Sequence, residues 1–149
     1  MVDENIGTML AQVSRLMRRS FDERARAIGV TRPQSQVLGI LKRHEGINQG
    51  GLAEILEVEP ITAGRMIDRL QDAELVERRP DPEDRRAWRL YLTARGEELL
   101  EQLRPFAFET FEIALEGVSE AERAGLMDML ERIRANLSRR SPVKVPVDG

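Results

Sequence analysis

The chain has no cysteine, and His44 is its single histidine in 149 residues. The first absence excludes disulfides, thiolate metal sites and thiol-based redox sensing. The second argues against a multi-histidine metal site or a histidine-dependent catalytic site on one chain. Aromatic residues make up only 4%, so a core has to be built from Leu, Ile, Val, Ala and Met. No apolar run approaches the roughly 20 residues that span a bilayer. The opening Met1-Val2-Asp3-Glu4 is acidic and lacks the basic-then-apolar layout of a secretory signal. There is no Gly-rich phosphate loop, metal-ligand cluster or nucleophile–base pair. The expectation is a cytoplasmic protein that is not an enzyme, with no cofactor, no metal and no membrane partner.

What is present is charge and helix-forming sequence. Charged residues reach 33% and hydrophobic ones 41%, with a net charge of −3 and a pI near 5.4. A non-specific nucleic-acid binder is normally basic. A specific binder needs only a local basic surface, so the acidic balance leaves that class open.

Residues 5–28 read as one amphipathic helix, with Ile6, Met9, Leu10, Val13, Leu16, Met17, Phe21 and Ile28 at three- and four-residue steps and Gly29 as its stop. Thr31 and Gln34 have capping-box spacing and open a second helix, which buries Val37, Leu38, Ile40 and Leu41 and ends by Gly46. Asn48 is the expected N-cap of a short third helix, with Ile47 and Leu52 at hydrophobic-staple spacing. A fourth helix starts at Pro60 and runs to about Ala73, with Ala63, Met66, Ile67 and Leu70 facing inward. Residues 75–92 read as a β-hairpin around the turn-rich tip Pro80-Asp-Pro-Glu-Asp84. Thr93 caps a fifth helix and Ser119 with Glu122 a sixth, in which Leu126, Leu130, Ile133 and Leu137 form a 4-3-4 seam. The fold class is therefore mainly α with a small β-wing, a winged helix-turn-helix flanked by N- and C-terminal helices. As one integrated domain it divides into an N-terminal helix (1–30), a winged helix-turn-helix lobe (31–93), C-terminal helices (94–138) and a flexible tail (139–149).

Two segments carry chemistry. Two short helices joined tightly over residues 48–73 form a helix-turn-helix, whose second helix is placed to enter a major groove. Its groove-facing candidates are Thr62, Arg65 and Arg69, with Pro60 and Ile61 at the leading end. Arginine donates two bonds to guanine, and threonine contacts phosphate, base edge or thymine methyl. Alone, this segment fits equally an ordinary amphipathic helix with a solvated polar face. The second segment is the hairpin tip, where Arg78, Arg79, Arg85 and Arg86 flank an acidic centre. Asp84 is expected to hold an arginine side chain through charge-assisted bonds, presenting its head to a narrow minor groove. Arg79 or Arg85 would add phosphate contacts. Alone, this segment is better read as a solvated charged turn whose ion pairs contribute little.

Together the two segments resemble the MarR/SlyA family of bacterial winged-helix regulators, over about residues 6–138. The resemblance rests on Gln49-Gly-Gly-Leu-Ala-Glu54, Ile61-Thr-Ala-Gly-Arg-Met-Ile-Asp-Arg-Leu70 and Ala73-Glu-Leu-Val-Glu-Arg78. Its most specific run is Asp84-Arg-Arg-Ala-Trp-Arg-Leu-Tyr-Leu-Thr-Ala-Arg-Gly96. The resemblance implies that the helix from Pro60 is the recognition helix, that Arg86 is the minor-groove arginine and that Asp84 orients it. It implies a homodimer through the first and last two helices, facing a pseudo-palindromic double-stranded operator. It also implies a repressor released by a small anionic or phenolic effector, for which Arg15, Arg18, Arg19, Arg43 and His44 are the candidates. Taken singly, each of these five is better read as a solvated side chain beside the interface. The competing function is a winged-helix protein-interaction module without DNA binding. Two features depart from the family. Cysteine-based oxidant sensing is impossible here, and Gly64 stands inside the recognition helix where many relatives carry a larger residue. That glycine serves either close approach to DNA or close packing on the preceding helix.

Overall fold

The computed structural model describes residues 2–140. The elements are α1 (Val2–Ala27), α2 (Arg32–Arg43), α3 (Gln49–Leu56), α4 (Pro60–Asp72), β1 (Val76–Pro80), β2 (Trp88–Leu92), α5 (Ala94–Ala114) and α6 (Glu120–Arg140). This is the expected order, mainly helical with one antiparallel hairpin. The expected tail from residue 139 is corrected at its start. Arg139 and Arg140 continue α6, because nothing before Pro142 interrupts helical sequence; residues 141–149 lie outside the described residues.

The helix starts follow from local chemistry. Thr31 and Gln34 form the reciprocal capping box: the Gln34 side chain accepts from the Thr31 N–H at 2.9 Å, and Thr31 Oγ1 accepts from the Gln34 N–H at 3.4 Å. Asn48 accepts from the Gly51 N–H at 2.7 Å and caps α3. Thr93 accepts from the Gly96 N–H at 3.0 Å and caps α5. Ser119 and Glu122 repeat the capping box ahead of α6. Each such cap is worth about 1 kcal/mol. Between α1 and α2 the chain turns at Gly29, whose φ of +80° lies in the region that favours glycine.

One core lies under the middle of the chain. Leu38 and Leu41 of α2, Leu52 of α3, Ile67 and Leu70 of α4 and Leu90 of β2 are almost completely buried in it. Each such side chain contributes about 1.5–3 kcal/mol through burial. The hairpin is docked on this core by backbone as well as by side chains. Val76 pairs with Leu92 and Pro80 with Trp88. On the other edge of β2, the Gly46 N–H donates to the Leu90 carbonyl at 3.1 Å, and the Leu90 N–H donates to the Ile47 carbonyl at 2.9 Å. The stretch before α3 thus serves as a rudimentary third strand, which has no signature in the sequence.

The start of α5 lies directly on the corner between α4 and β1. At Gly96 an added Cβ would sit 2.2 Å from the Leu75 carbonyl oxygen, so only glycine permits this approach. Farther along, α5 packs on α1, and Ala25, Val30 and Leu103 form a second small cluster there. Beyond it the apolar faces lack a partner among the described residues. Ile6, Met9, Leu10, Val13 and Leu16 of α1, Phe108, Phe111 and Ile113 of α5 and Leu126, Met127, Met129, Ile133 and Leu137 of α6 are exposed.

Candidate nucleic-acid interface

The connection between α3 and α4 is tight because Glu57 adopts a left-handed conformation (φ 57°), and the Val58 N–H closes back on the Ala53 carbonyl at 3.0 Å. Pro60 then occupies the first turn of α4. With Ala63, Ile67 and Leu70 fixed in the core, helical geometry turns Pro60, Ile61, Thr62, Arg65, Asp68 and Arg69 outward, and all six are exposed. Ile61 is 64% exposed, a large apolar side chain left in water at the leading end of a polar face.

Gly64 is buried, and its role is packing. An added Cβ would meet the Gln49 side chain of α3 at 2.8 Å. That same side chain donates to the Pro60 carbonyl at 2.9 Å. Glycine therefore lets α3 reach across α4 and hold its first turn.

The wing tip is an internally bonded loop. The Asp81 N–H donates to the Ala87 carbonyl (3.1 Å), the Glu83 N–H to Asp81 Oδ1 (2.8 Å) and the Arg86 N–H to Asp84 Oδ1 (2.9 Å). Asp84 thus acts on the backbone at Arg86, not on an arginine side chain as expected. The charge-assisted hold on a guanidinium is made instead by Asp81, nearly buried, to Arg89 at 3.1 Å. The Glu83 N–H, with the Arg89 guanidinium adding to it, keeps the Asp81 carboxyl below its ordinary range; the carboxylate in turn raises Arg89.

The arginines of α4, the wing and the first turn of α5 fall into two groups. Arg78, Arg79, Arg89 and Arg95 are engaged in ion pairs, with Asp68, Glu77, Asp81 and Glu74 respectively. Arg79 also lies over the Tyr91 ring at 4.1 Å. Arg65, Arg69, Arg85 and Arg86 are exposed and have no ion pair among the described residues. The unpaired group coincides with the outer face of α4 and the tip of the wing.

The five anion candidates are not gathered at one place. Arg43 lines a cleft of about 360 Å³ between α1, α2 and α5, with Lys42, Arg104 and an apolar floor including Phe21 and Leu100. Across it Lys42 pairs with Glu97 at 2.8 Å, a contact that raises the lysine pKa. Arg18 borders an apolar groove between α1 and α5 and bonds Ser14. Arg19 pairs with Glu23 on the open face of α1. Arg15 is exposed, and His44 is the half-buried C-cap of α2. Lys42 and Arg104 carry no distinguishing sequence signal; only the fold puts them beside Arg43. Among the described residues no group of three or more His, Asp or Glu is placed to hold a metal, and no helix is long and apolar enough to cross a membrane.

Comparison with known proteins gives this arrangement a context. A sequence profile of the MarR family matches residues 30–88. The chain is 30% identical over 112 residues to the HTH-type transcriptional regulator YybA of Bacillus subtilis (strain 168), covering 75% of each protein. It is similar in structure to a MarR transcriptional regulator from Methanosarcina mazei Go1, with a TM-score of 0.81, 28% identity and coverage of 93% of this chain and 99% of that one. It is also similar to a mutant MarR from E. coli complexed with operator DNA, with a TM-score of 0.72, 25% identity and coverage of 87% and 93%.

Proposed function

We propose, from the premise that this chain belongs to the MarR family of DNA-binding transcriptional regulators, that it is a homodimeric repressor released from a pseudo-palindromic operator by a small anionic effector. Proteins of this family are regulators, not enzymes. The observation that carries the reading is the sorting of the arginines. Four that pair with no carboxylate among the described residues stand on the two surfaces that meet a duplex in a winged helix-turn-helix.

The division of labour follows from position. With α4 in the major groove, Arg65 and Arg69 reach guanine edges or phosphates, Thr62 a base edge or phosphate, and Ile61 with Pro60 a thymine methyl. At the tip, Arg86 enters the minor groove and Arg85 meets phosphate, while Asp84 fixes the turn that carries both. Arg79, held by Glu77 and Tyr91, stiffens the stalk and borders the backbone contact. The many exposed large apolar side chains on α1, α5 and α6 are of the kind that marks an interaction surface, and a second copy is the natural cover. A two-fold pair then offers two recognition helices and two wings to a symmetric site. Its seat on a promoter in the cytoplasm excludes polymerase.

The cleft beside Lys42, Arg43 and Arg104 joins the DNA-binding lobe to the dimer arm. A ligand there lowers DNA affinity to the extent that it prefers a lobe spacing the operator does not match. Fluorescence anisotropy with the upstream intergenic region of the protein's own gene, against a scrambled duplex at two salt concentrations, tests the reading. Preferential binding of one dimer per site is expected. Arg65→Ala should relax base preference at a cost of about 1–3 kcal/mol, and Arg86→Ala should weaken binding without dissociating the dimer. A folded dimer with no preference for any duplex, including those from a genome-wide selection, would refute the function.

A further inference from the structure

We propose that Arg78 is a positioning residue that holds the wing at one setting against the recognition helix, so that the major- and minor-groove contacts are made as a unit; the proposal rests on the DNA-binding reading above. Arg78 stands on β1, and its side chain is only 20% exposed. Its guanidinium lies across α4. Nη2 is 2.7 Å from Asp68 Oδ1 and 3.3 Å from the Gly64 carbonyl, and Nη1 donates to Gln71 Oε1 at 2.6 Å. Gly64, Asp68 and Gln71 follow one another at four- and three-residue steps, so they line one face of the helix. A planar fork from the strand therefore grips two turns of α4.

The other paired arginines of the wing do not do this. Arg79 bonds Glu77 on its own strand, and Arg89 bonds Asp81 in the loop. Arg78 has a second consequence. Asp68 is 62% exposed and shares the outer face of α4 with Arg65 and Arg69. Unpaired, its carboxylate would oppose a phosphate backbone; paired with Arg78 it becomes part of the scaffold.

Trp88, the sole tryptophan, sits opposite Pro80 in the hairpin and reports wing motion without DNA. In Arg78→Gln the fast component of its time-resolved anisotropy decay should grow. On a duplex that the wild-type protein selects from a randomised library, this variant should bind about tenfold or more weakly. It should also lose wild-type preference for that duplex over one with a base pair inserted between the major-groove half-site and the flanking minor-groove step. Arg78→Lys, which keeps the charge and not the fork, should fall between. Asp68→Asn in the Arg78→Gln background should recover part of the affinity. An unchanged Trp88 decay with unchanged spacing preference overturns the proposal, even if affinity falls, because Arg78 would then be a plain DNA contact. If the wild-type protein selects no duplex, the DNA-binding reading fails, and the Trp88 decay alone still decides whether the clamp exists.

Discussion

Gly64→Ala separates two effects of opposite sign at one position. Within a helix, replacing glycine by alanine stabilises by about 1 kcal/mol, because less backbone freedom is lost on folding. Here the new methyl would stand 2.8 Å from Gln49 Nε2 and 3.2 Å from Gln49 Cδ. The obstruction is the end of a half-buried, flexible side chain, so it swings away and does not force the helices apart. Doing so it gives up its bond to the Pro60 carbonyl, worth about 0.5–1.5 kcal/mol. The two terms nearly cancel, and the single variant should lie within about 0.5 kcal/mol of wild type.

In a Gln49→Ala background the obstruction and the bond are both gone. The same substitution should then stabilise by about 1 kcal/mol, giving a coupling of about 1 kcal/mol between the two sites. Urea unfolding followed by far-ultraviolet circular dichroism, at one fixed protomer concentration, measures all four proteins. Full stabilisation by Gly64→Ala in both backgrounds would mean that Gln49 does not press on α4, and the packing explanation of this glycine would be refuted. A large equal loss in both would point to a contact other than Gln49.

Gly96→Ala should be far more damaging, by about 3 kcal/mol or more, since its Cβ would meet the rigid Leu75 carbonyl at 2.2 Å; a thermal midpoint close to wild type would refute this. Acid should loosen the wing. The Asp81 carboxyl has its pKa lowered by the fold, so its contribution is fully present above the ordinary carboxylate range and is lost as pH falls through the lowered value. The transition should be visible in Trp88 emission and absent in Asp81→Asn. Replacing Leu130 and Ile133 together with glutamate should yield folded monomers in analytical ultracentrifugation, while an intact dimer would remove α6 from the interface.

The sequence made the helices legible because their signals are local. The Thr31–Gln34 box, the Asn48 cap and the Ser119–Glu122 box each span a few residues and depend on nothing distant. The outward face of α4 was legible for the same reason, through the period of Ala63, Ile67 and Leu70. What was not legible depends on where a side chain lands after the chain has folded. Arg78 and Arg79 are neighbours of identical type, yet one crosses to α4 and the other lies over Tyr91. Strand alternation sends them to opposite faces, but which face meets α4 is a tertiary fact. The hold on an arginine expected of Asp84 falls to Asp81 likewise, because the turn brings Asp81 back beside Arg89. The spread of Arg15, Arg18, Arg19, Arg43 and His44 over separate surfaces has the same origin.

The acidic net charge and a DNA-facing function are compatible because the relevant quantity is which charges remain unpaired. Between residues 60 and 95 eight arginines accompany seven carboxylates, a balance that by number attracts nothing. Pairing removes Asp68, Glu74, Glu77 and Asp81 together with four arginines. Asp72, Glu83 and Asp84 remain, and Asp84 spends one oxygen on the Arg86 N–H, directly under the tip. The free guanidiniums are then concentrated on the face of α4 and the end of the wing, within a Debye length of any duplex seated there. A carboxylate of this kind does not weaken a basic surface; it selects which arginines form it. Substituting Glu77 or Asp81 would release a cation on the stalk, away from the groove-facing positions, and would add non-specific attraction at the expense of register.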